Sequence, residues 1–387
     1  MELCLVVDHA CNLRCSYCYM GEKRSAPMSR DVMRRAVDFA LAQDTGWLSI
    51  TLFGGEPLLL PGILPTVERI VGDAQKPRGS QVNLRWLLDT NATRLSEGAL
   101  DWLAPPRPAK VFVSLDGSAA AHDANRIDAA GHATHSRVVE GIARLRARKI
   151  PFDIVAVVNP DTARYLPDSL AFMLTLGAEQ IHIQANLRAT WTETDLANFA
   201  QHAGAAATVW ADEFRHGRRA VVEPFHSKVL SHLFGELHLP RRCQIATCEV
   251  AVAPSGRIYP CAEMVGEDKH LEFAIGDVAT GLDPVRIAAL RTQVQAVNAT
   301  CETCALNNRC LNGCGCRQWA CAGRLGQVTA TLCETESSWI EAADQAAEFL
   351  LAENCSAFQK FYYENSWTVS TSVPHPDEAL VQIRSGR

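Results

Sequence analysis

At 387 residues and 48% hydrophobic, the chain can bury a large domain plus a smaller one, which excludes a single small module. A formal net charge of −6 gives no broad basic surface for phosphates and excludes nucleic acid as a main partner. No apolar run approaches the roughly 20 residues of a bilayer span, and the cysteine-bearing start lacks a signal peptide's apolar stretch; a cytoplasmic protein with no membrane partner is expected.

From Leu3 to about residue 215, extended apolar runs alternate with helical patterns. Strands are predicted at Leu3–Val7, Leu48–Phe53, Leu84–Leu88, Lys110–Leu115, Phe152–Val158 and Ile181–Ala185. Helices are predicted at Ser29–Ala42, with Ser29 as N-cap, and at Ile63–Asp73, His135–Arg148, Tyr165–Leu176 and Asp195–Arg215. Six strand-helix units imply an α/β fold with a parallel sheet. A closed eight-unit barrel needs about 250 residues, so residues 1–215 suit an open, partial (β/α)6 TIM barrel. A doubly wound open sheet is the alternative.

Residues 216–240 read as a bridge. From 241 to 335 the chain is rich in cysteine and glycine with little periodicity, as expected of a segment folded around metal rather than an apolar core. Residues 336–387 should hold a last helix, Ser337–Leu351, and a polar end, mobile from about Ser366. The 15 cysteines fall in two groups with metal-ligand spacing and no export signal accompanies them, which favours metal centres over disulfides.

The first group, Cys11-Asn-Leu-Arg-Cys15-Ser-Tyr-Cys18, follows the first predicted strand. Three thiolates on a four-iron cluster leave one iron open, the mark of a reactive site; the competing reading is a zinc loop lacking its fourth ligand. This spacing, with aromatic Tyr17 before the last cysteine, resembles the radical S-adenosylmethionine (radical SAM) superfamily. The resemblance implies that Cys11, Cys15 and Cys18 hold a [4Fe-4S] cluster whose open iron chelates SAM. One-electron cleavage then releases a 5′-deoxyadenosyl radical that takes a substrate hydrogen.

Further candidates sit where barrel strands end, the usual functional face. Gly54-Gly55-Glu56-Pro57 follows strand two: glycines permit close backbone approach and a carboxylate accepts from an ammonium group, and the resemblance places this motif on the SAM amino group. Thr90 and Asn91 follow strand three, and Ser114, Asp116 and Gly117 close strand four, where the family has sugar and other polar contacts. By the same resemblance Arg126 pairs with the SAM carboxylate, a task suited to guanidinium. On strand six His182 and Gln184, then Asn186, alternate with apolar residues, so a polar face meets cofactor or substrate, or lines a wet interior.

The second group is Cys243, Cys261, Cys301, Cys304, Cys310, Cys314 and Cys333, which resembles the SPASM domain, the auxiliary-cluster extension of radical SAM enzymes acting on peptides. With Cys248 there are eight ligands, enough for two closed four-iron clusters. The resemblance assigns Cys243, Cys248, Cys261 and Cys314 to one and the rest to the other, three [4Fe-4S] clusters in all. A zinc ribbon at Cys301 and Cys304 is the alternative, and Cys316 and Cys321 could serve as alternate ligands.

These resemblances imply a peptide-modifying enzyme. The leading expectation is a maturase of a ribosomally made precursor peptide that forms a thioether or carbon-carbon crosslink. Anaerobic sulfatase-maturing enzymes, which make formylglycine, carry glutamine before the Gly-Gly-Glu-Pro and aspartate after the third auxiliary cysteine; here those places hold Phe53 and Ala262, with Glu263 as a substitute catalytic base. A reading from another class is an iron-sulfur carrier or sensor without turnover, which leaves the Gly-Gly-Glu-Pro and Arg126 unexplained. Partners implied are the precursor peptide and a flavodoxin- or ferredoxin-type donor. With the first strand starting at Leu3, leader recognition falls to the barrel, the SPASM surface, the tail or a separate leader-binding protein.

Anaerobically reconstituted protein should therefore carry about twelve irons, and the Cys11/Cys15/Cys18 triple alanine variant about four fewer. Iron and zinc quantification checks this, and zinc in the C-terminal sites would refute two auxiliary clusters.

Overall fold

Six predicted strands line up in chain order as neighbouring parallel strands: β1 (Glu2–Asp8), β2 (Trp47–Gly54), β3 (Asn83–Thr90), β4 (Ala109–Ser114), β5 (Phe152–Val158) and β6 (Gln180–Ala185). The computed structural model describes residues 1–43, 45–78, 82–234, 245–246, 249–296 and 299–364. From β1 to β6 strand order follows the chain without reversal, so these six strands hold no switch point and the doubly wound alternative falls away. The architecture is the partial barrel.

The sheet extends further than six strands. At one edge β7 (Val221–Glu223) pairs parallel with β6; at the other β8 (Glu249–Val252) pairs parallel with β1. Beyond it β9 (Arg257–Tyr259), β10 (Gly276–Asp277) and β11 (Gly281–Leu282) continue antiparallel, giving one eleven-stranded sheet among the described residues.

Two expectations are corrected here. The stretch 216–240, read as a bridge, holds β7 and helix α8 (Phe225–Phe234); residues 235–240 lie outside the described residues. The cysteine-rich segment also builds apolar core, since Val250, Ala251, Val252, Ile258 and Tyr259 are all buried against the barrel. Its strands are four residues or fewer, too short for periodicity to announce them.

The helices follow their local signals. In α1 (Arg30–Leu41) the Val32 N–H donates to the Ser29 hydroxyl at 3.2 Å, and Met33, Ala36, Val37 and Ala40 turn inward. After α2 (Ile63–Gln75) comes α3 (Glu97–Leu103), capped by Ser96 and too short to have been expected. A short α4 (Ala119–Asp123) precedes α5 (His135–Ala147) and α6 (Leu166–Leu174). In α7 (Glu193–Arg215) Thr192 and Asp195 form a reciprocal capping box.

In the C-terminal part α9 (Pro284–Gln295), α10 (Ala299–Glu302) and α11 (Gly315–Ala322) precede α12 (Ala330–Ala352). The last starts seven residues before the predicted Ser337, so Cys333 stands in its first turn. It packs on α7 and α8 through Trp339, whose ring meets Phe199 at 5.0 Å and Phe225 at 5.4 Å. Residues from 365 on lie outside the described residues. Among the described residues no helix is long and apolar enough to cross a membrane.

Polar ties join the same parts. Lys228 of α8 is fully buried; its ammonium donates to Glu336 of α12 at 2.7 Å and to the Arg309 carbonyl at 2.8 Å. Glu336 also pairs with Arg317 at 2.7 Å and accepts from the Leu311 N–H at 3.0 Å. Removing Lys228 leaves buried Glu336 with only the partly exposed Arg317 as a cation. Lys228→Ala should cost about 1–3 kcal/mol of stability, seen as a lower midpoint in chemical denaturation; a loss within experimental error would refute it.

Candidate active site

The C-terminal ends of the strands surround a cavity of about 300 Å³, reached by Cys11, Cys15 and Cys18 from the loop after β1. That loop is held as an added strand edge. Arg14 N–H donates to the Ile127 carbonyl at 2.7 Å, Ser16 N–H to Asn125 at 3.0 Å, and Ala129 N–H to Asn12 at 3.1 Å. The segment after α4 thus fixes the cysteines from one side.

The end of β2 fixes them from the other. Gly55 and Glu56 N–H groups donate to the Asp8 and Ala10 carbonyls at 2.9 and 2.8 Å. A β-carbon on Gly54 would lie 2.3 Å from the Asp8 oxygen, and one on Gly55 2.1 Å from the Ala10 oxygen. Gly54 also has φ +137°, which side-chain-bearing residues rarely adopt. Both glycines are therefore demanded by the chain itself.

Glu56 is fully buried and its carboxylate is spent on protein donors. One oxygen accepts from Leu58 N–H at 3.0 Å and the Thr90 hydroxyl at 2.8 Å, the other from Asn91 N–H at 2.8 Å. Burial pushes its carboxyl up, against these hydrogen bonds. The sequence reading aimed Glu56 at an ammonium group; in the structure it clamps the end of β2 to the end of β3, and neither it nor Pro57 lines the cavity. Gly54, Gly55, Thr90, Asn91 and Ser114 do.

Asp116 likewise serves its neighbours. Tyr17 hydroxyl donates to it at 2.5 Å, Val157 N–H at 2.9 Å, and the Arg126 guanidinium stands 3.0 Å away. Arg126 lies over the Tyr17 ring at 5.3 Å. Asp116 thereby orients Tyr17 and Arg126, which line the cavity, without lining it itself. Gly117 instead packs against Ser169, which a β-carbon would meet at 2.1 Å.

The three thiols fit an iron-sulfur cluster by their donors. Leu13 N–H donates to Cys11 Sγ at 3.3 Å, Lys23 Nζ to Cys18 Sγ at 2.9 Å, and Asn91 Nδ2 approaches Cys11 Sγ at 3.9 Å. Burial pushes the Cys11 thiol up to about 11, so its thiolate form depends on a metal, which deprotonates a coordinating thiol.

On the far wall Asn186 and Gln184 line the cavity. Asn186 donates to Asn159 at 2.7 Å. His182 does not line it; it meets Asp153 at 3.2 Å, which also pairs with Lys110 at 2.9 Å. The C-terminal part closes the site with Glu263, Arg317 and Ala320. Glu263 is paired with Arg188 at 3.1 Å, and Arg188 lies over Tyr19, which stacks on Phe53.

Cys261 and Cys314 share hydrogen bonds with buried Cys316, which holds the Cys314 thiol down to about 6. Burial raises the Cys333 thiol, with a smaller contribution from Cys304 and Cys301, and burial raises the Cys310 thiol, with a small contribution from Cys333. Cys243 and Cys248 lie outside the described residues. Sequence reasoning missed Tyr19, Lys23, Asp89, Arg188 and Arg317, although Tyr19 directly follows Cys18, Lys23 comes five residues after it, and Asp89 directly precedes Thr90.

Residues 5–173 match the Radical SAM superfamily. The cysteine-type anaerobic sulfatase-maturating enzyme of Clostridium perfringens is 24% identical over 265 residues, 65% of this chain and 71% of that one. The serine-type enzyme of Klebsiella aerogenes is 23% identical over 323 residues, 80% and 78% of the two chains. The structure of histidine-tagged anSMEcpe with bound AdoMet superposes with a TM-score of 0.74 at 20% identity, covering 94% and 98%. Streptococcus suis SuiB bound to precursor peptide SuiA gives 0.58 at 15%, covering 82% and 72%.

Gly55→Ala should dislodge the first cysteine loop. Iron content should fall by about four while the iron of the C-terminal cysteines remains, as read by iron analysis and electron paramagnetic resonance. Full iron content would refute the packing argument.

Proposed function

We propose, from the premise that this chain belongs to the radical SAM superfamily through residues 5–173, that it oxidises a side chain of a peptide substrate. SAM and a [4Fe-4S] cluster are the cofactors that membership brings; bound at Cys11, Cys15 and Cys18, they supply hydrogen-abstracting chemistry. The observation that carries the reading is the shared cavity: the cysteine loop forms one wall, and Glu263, Arg317 and Ala320 of the C-terminal part form another. A substrate entering there meets both halves of the chain.

The residues have distinct tasks in this reading. Arg126, held by Asp116 and Tyr17, receives the SAM carboxylate, with Ser114 and Asn91 as further polar contacts. The Gly54–Gly55 backbone receives the amino group. Tyr19, Phe53 and Arg188 make a stacked wall against which a peptide side chain packs. The auxiliary thiols would hold two further clusters, and with them a place for the second electron of the oxidation; a ferredoxin- or flavodoxin-type protein would supply the first.

The bond formed is read as a thioether or carbon-carbon crosslink, supported by Phe53 and Ala262 at the places that depart from formylglycine-forming enzymes. Formylglycine formation is the second reading, favoured by the near-complete overlap with anSMEcpe. Reduced enzyme, SAM and synthetic cysteine and serine peptides decide between them. A crosslink removes two hydrogens and yields no aldehyde; formylglycine is trapped by a hydrazide reagent. Release of 5′-deoxyadenosine is expected with either, and its absence would return the chain to the carrier reading.

A further inference from the structure

Asp89 stands near the end of β3, in register beside Phe112 of β4, and lines the cavity. Among the described residues no group donates a hydrogen bond to its carboxylate or forms an ion pair with it. The cations of the cavity are engaged elsewhere: Arg126 on Asp116, Arg188 on Glu263, Arg317 on Glu336 and Lys23 on Cys18.

The groups around Asp89 are acidic or neutral. Glu56 approaches from the turn after β2 and Glu249 from β8; Cys4 of β1 and Tyr19 also sense its charge. Burial first, then the charges of Glu56 and Glu249, raise its carboxyl to about 7. A base is most effective when it titrates near working pH. Glu263, the base expected from sequence, is half-buried and tied to Arg188.

We propose that Asp89 is the proton acceptor of the reaction, taking the proton from the substrate group whose bond to carbon is made or becomes double. This rests on the peptide-oxidation reading. The substrate C–H bond breaks homolytically and its hydrogen atom leaves on the SAM-derived nucleoside. The adjacent S–H, O–H or second C–H bond then yields its proton to Asp89, and one electron passes to an iron-sulfur acceptor of the C-terminal part. The substrate loses two hydrogens in all. The proton held by Asp89 returns to solvent after product leaves.

The test uses reconstituted full-length wild type, Asp89→Asn and Asp89→Glu, with SAM and the synthetic cysteine and serine peptides, across pH 6 to 8. The readout is modified peptide per 5′-deoxyadenosine. For wild type the ratio should rise with pH through about 7; in Asp89→Asn it should be about a hundredfold lower and flat with pH, and Asp89→Glu should recover part of it. Product from Asp89→Asn within about threefold of wild type, or an unchanged pH profile, overturns the inference and leaves the reading intact. Wild type that cleaves SAM but modifies neither peptide overturns the reading, and the inference with it.

Discussion

The close passage of the Gly54–Gly55 backbone over the carbonyls of Asp8 and Ala10 is the constraint on which the site depends. Nothing larger than hydrogen fits at either glycine. The two N–H donors released by that approach hold the cysteine loop, and buried Glu56 locks the same turn to β3. A motif read as a ligand contact is thus first a structural joint, and any backbone contact it offers a cofactor is a consequence of that joint.

Charge placement follows from burial. The cavity wall holds Lys23, Arg126, Arg188 and Arg317, each matched to an acceptor, and two carboxylates, Asp89 and Glu263. Among the described residues only Glu263 of these two has a cation. A low-dielectric wall penalises an unpaired carboxylate, so Asp89 stays because something in the working site uses it or because another ligand completes it.

The continuous sheet ties the two halves of the chain. Pairing of β8 with β1 places Cys261 and Glu263 beside the barrel mouth, and the buried pair of Lys228 with Glu336 anchors α12, with Cys333 in its first turn, on the same body. Relative position of the cysteine groups is accordingly set by hydrogen-bonded backbone and packed helices as well as by any metal they hold.

Much of the fold was legible in the sequence. Six strands and most of the longer helices between them announced themselves through apolar runs, periodicity and the cap at Ser29, because those signals are local. The three-cysteine spacing and the Gly-Gly-Glu-Pro carried the resemblance to the radical SAM superfamily for the same reason. Tertiary structure alone decided the rest. β7 through β11 are too short to show a period, and they exist because the edges of the barrel offer unpaired backbone. Glu56 and Asp116 turned inward, Glu263 found Arg188, and Asp89 was left facing the cavity without a cation among the described residues, since which donor meets which acceptor is fixed only when distant strands are brought side by side.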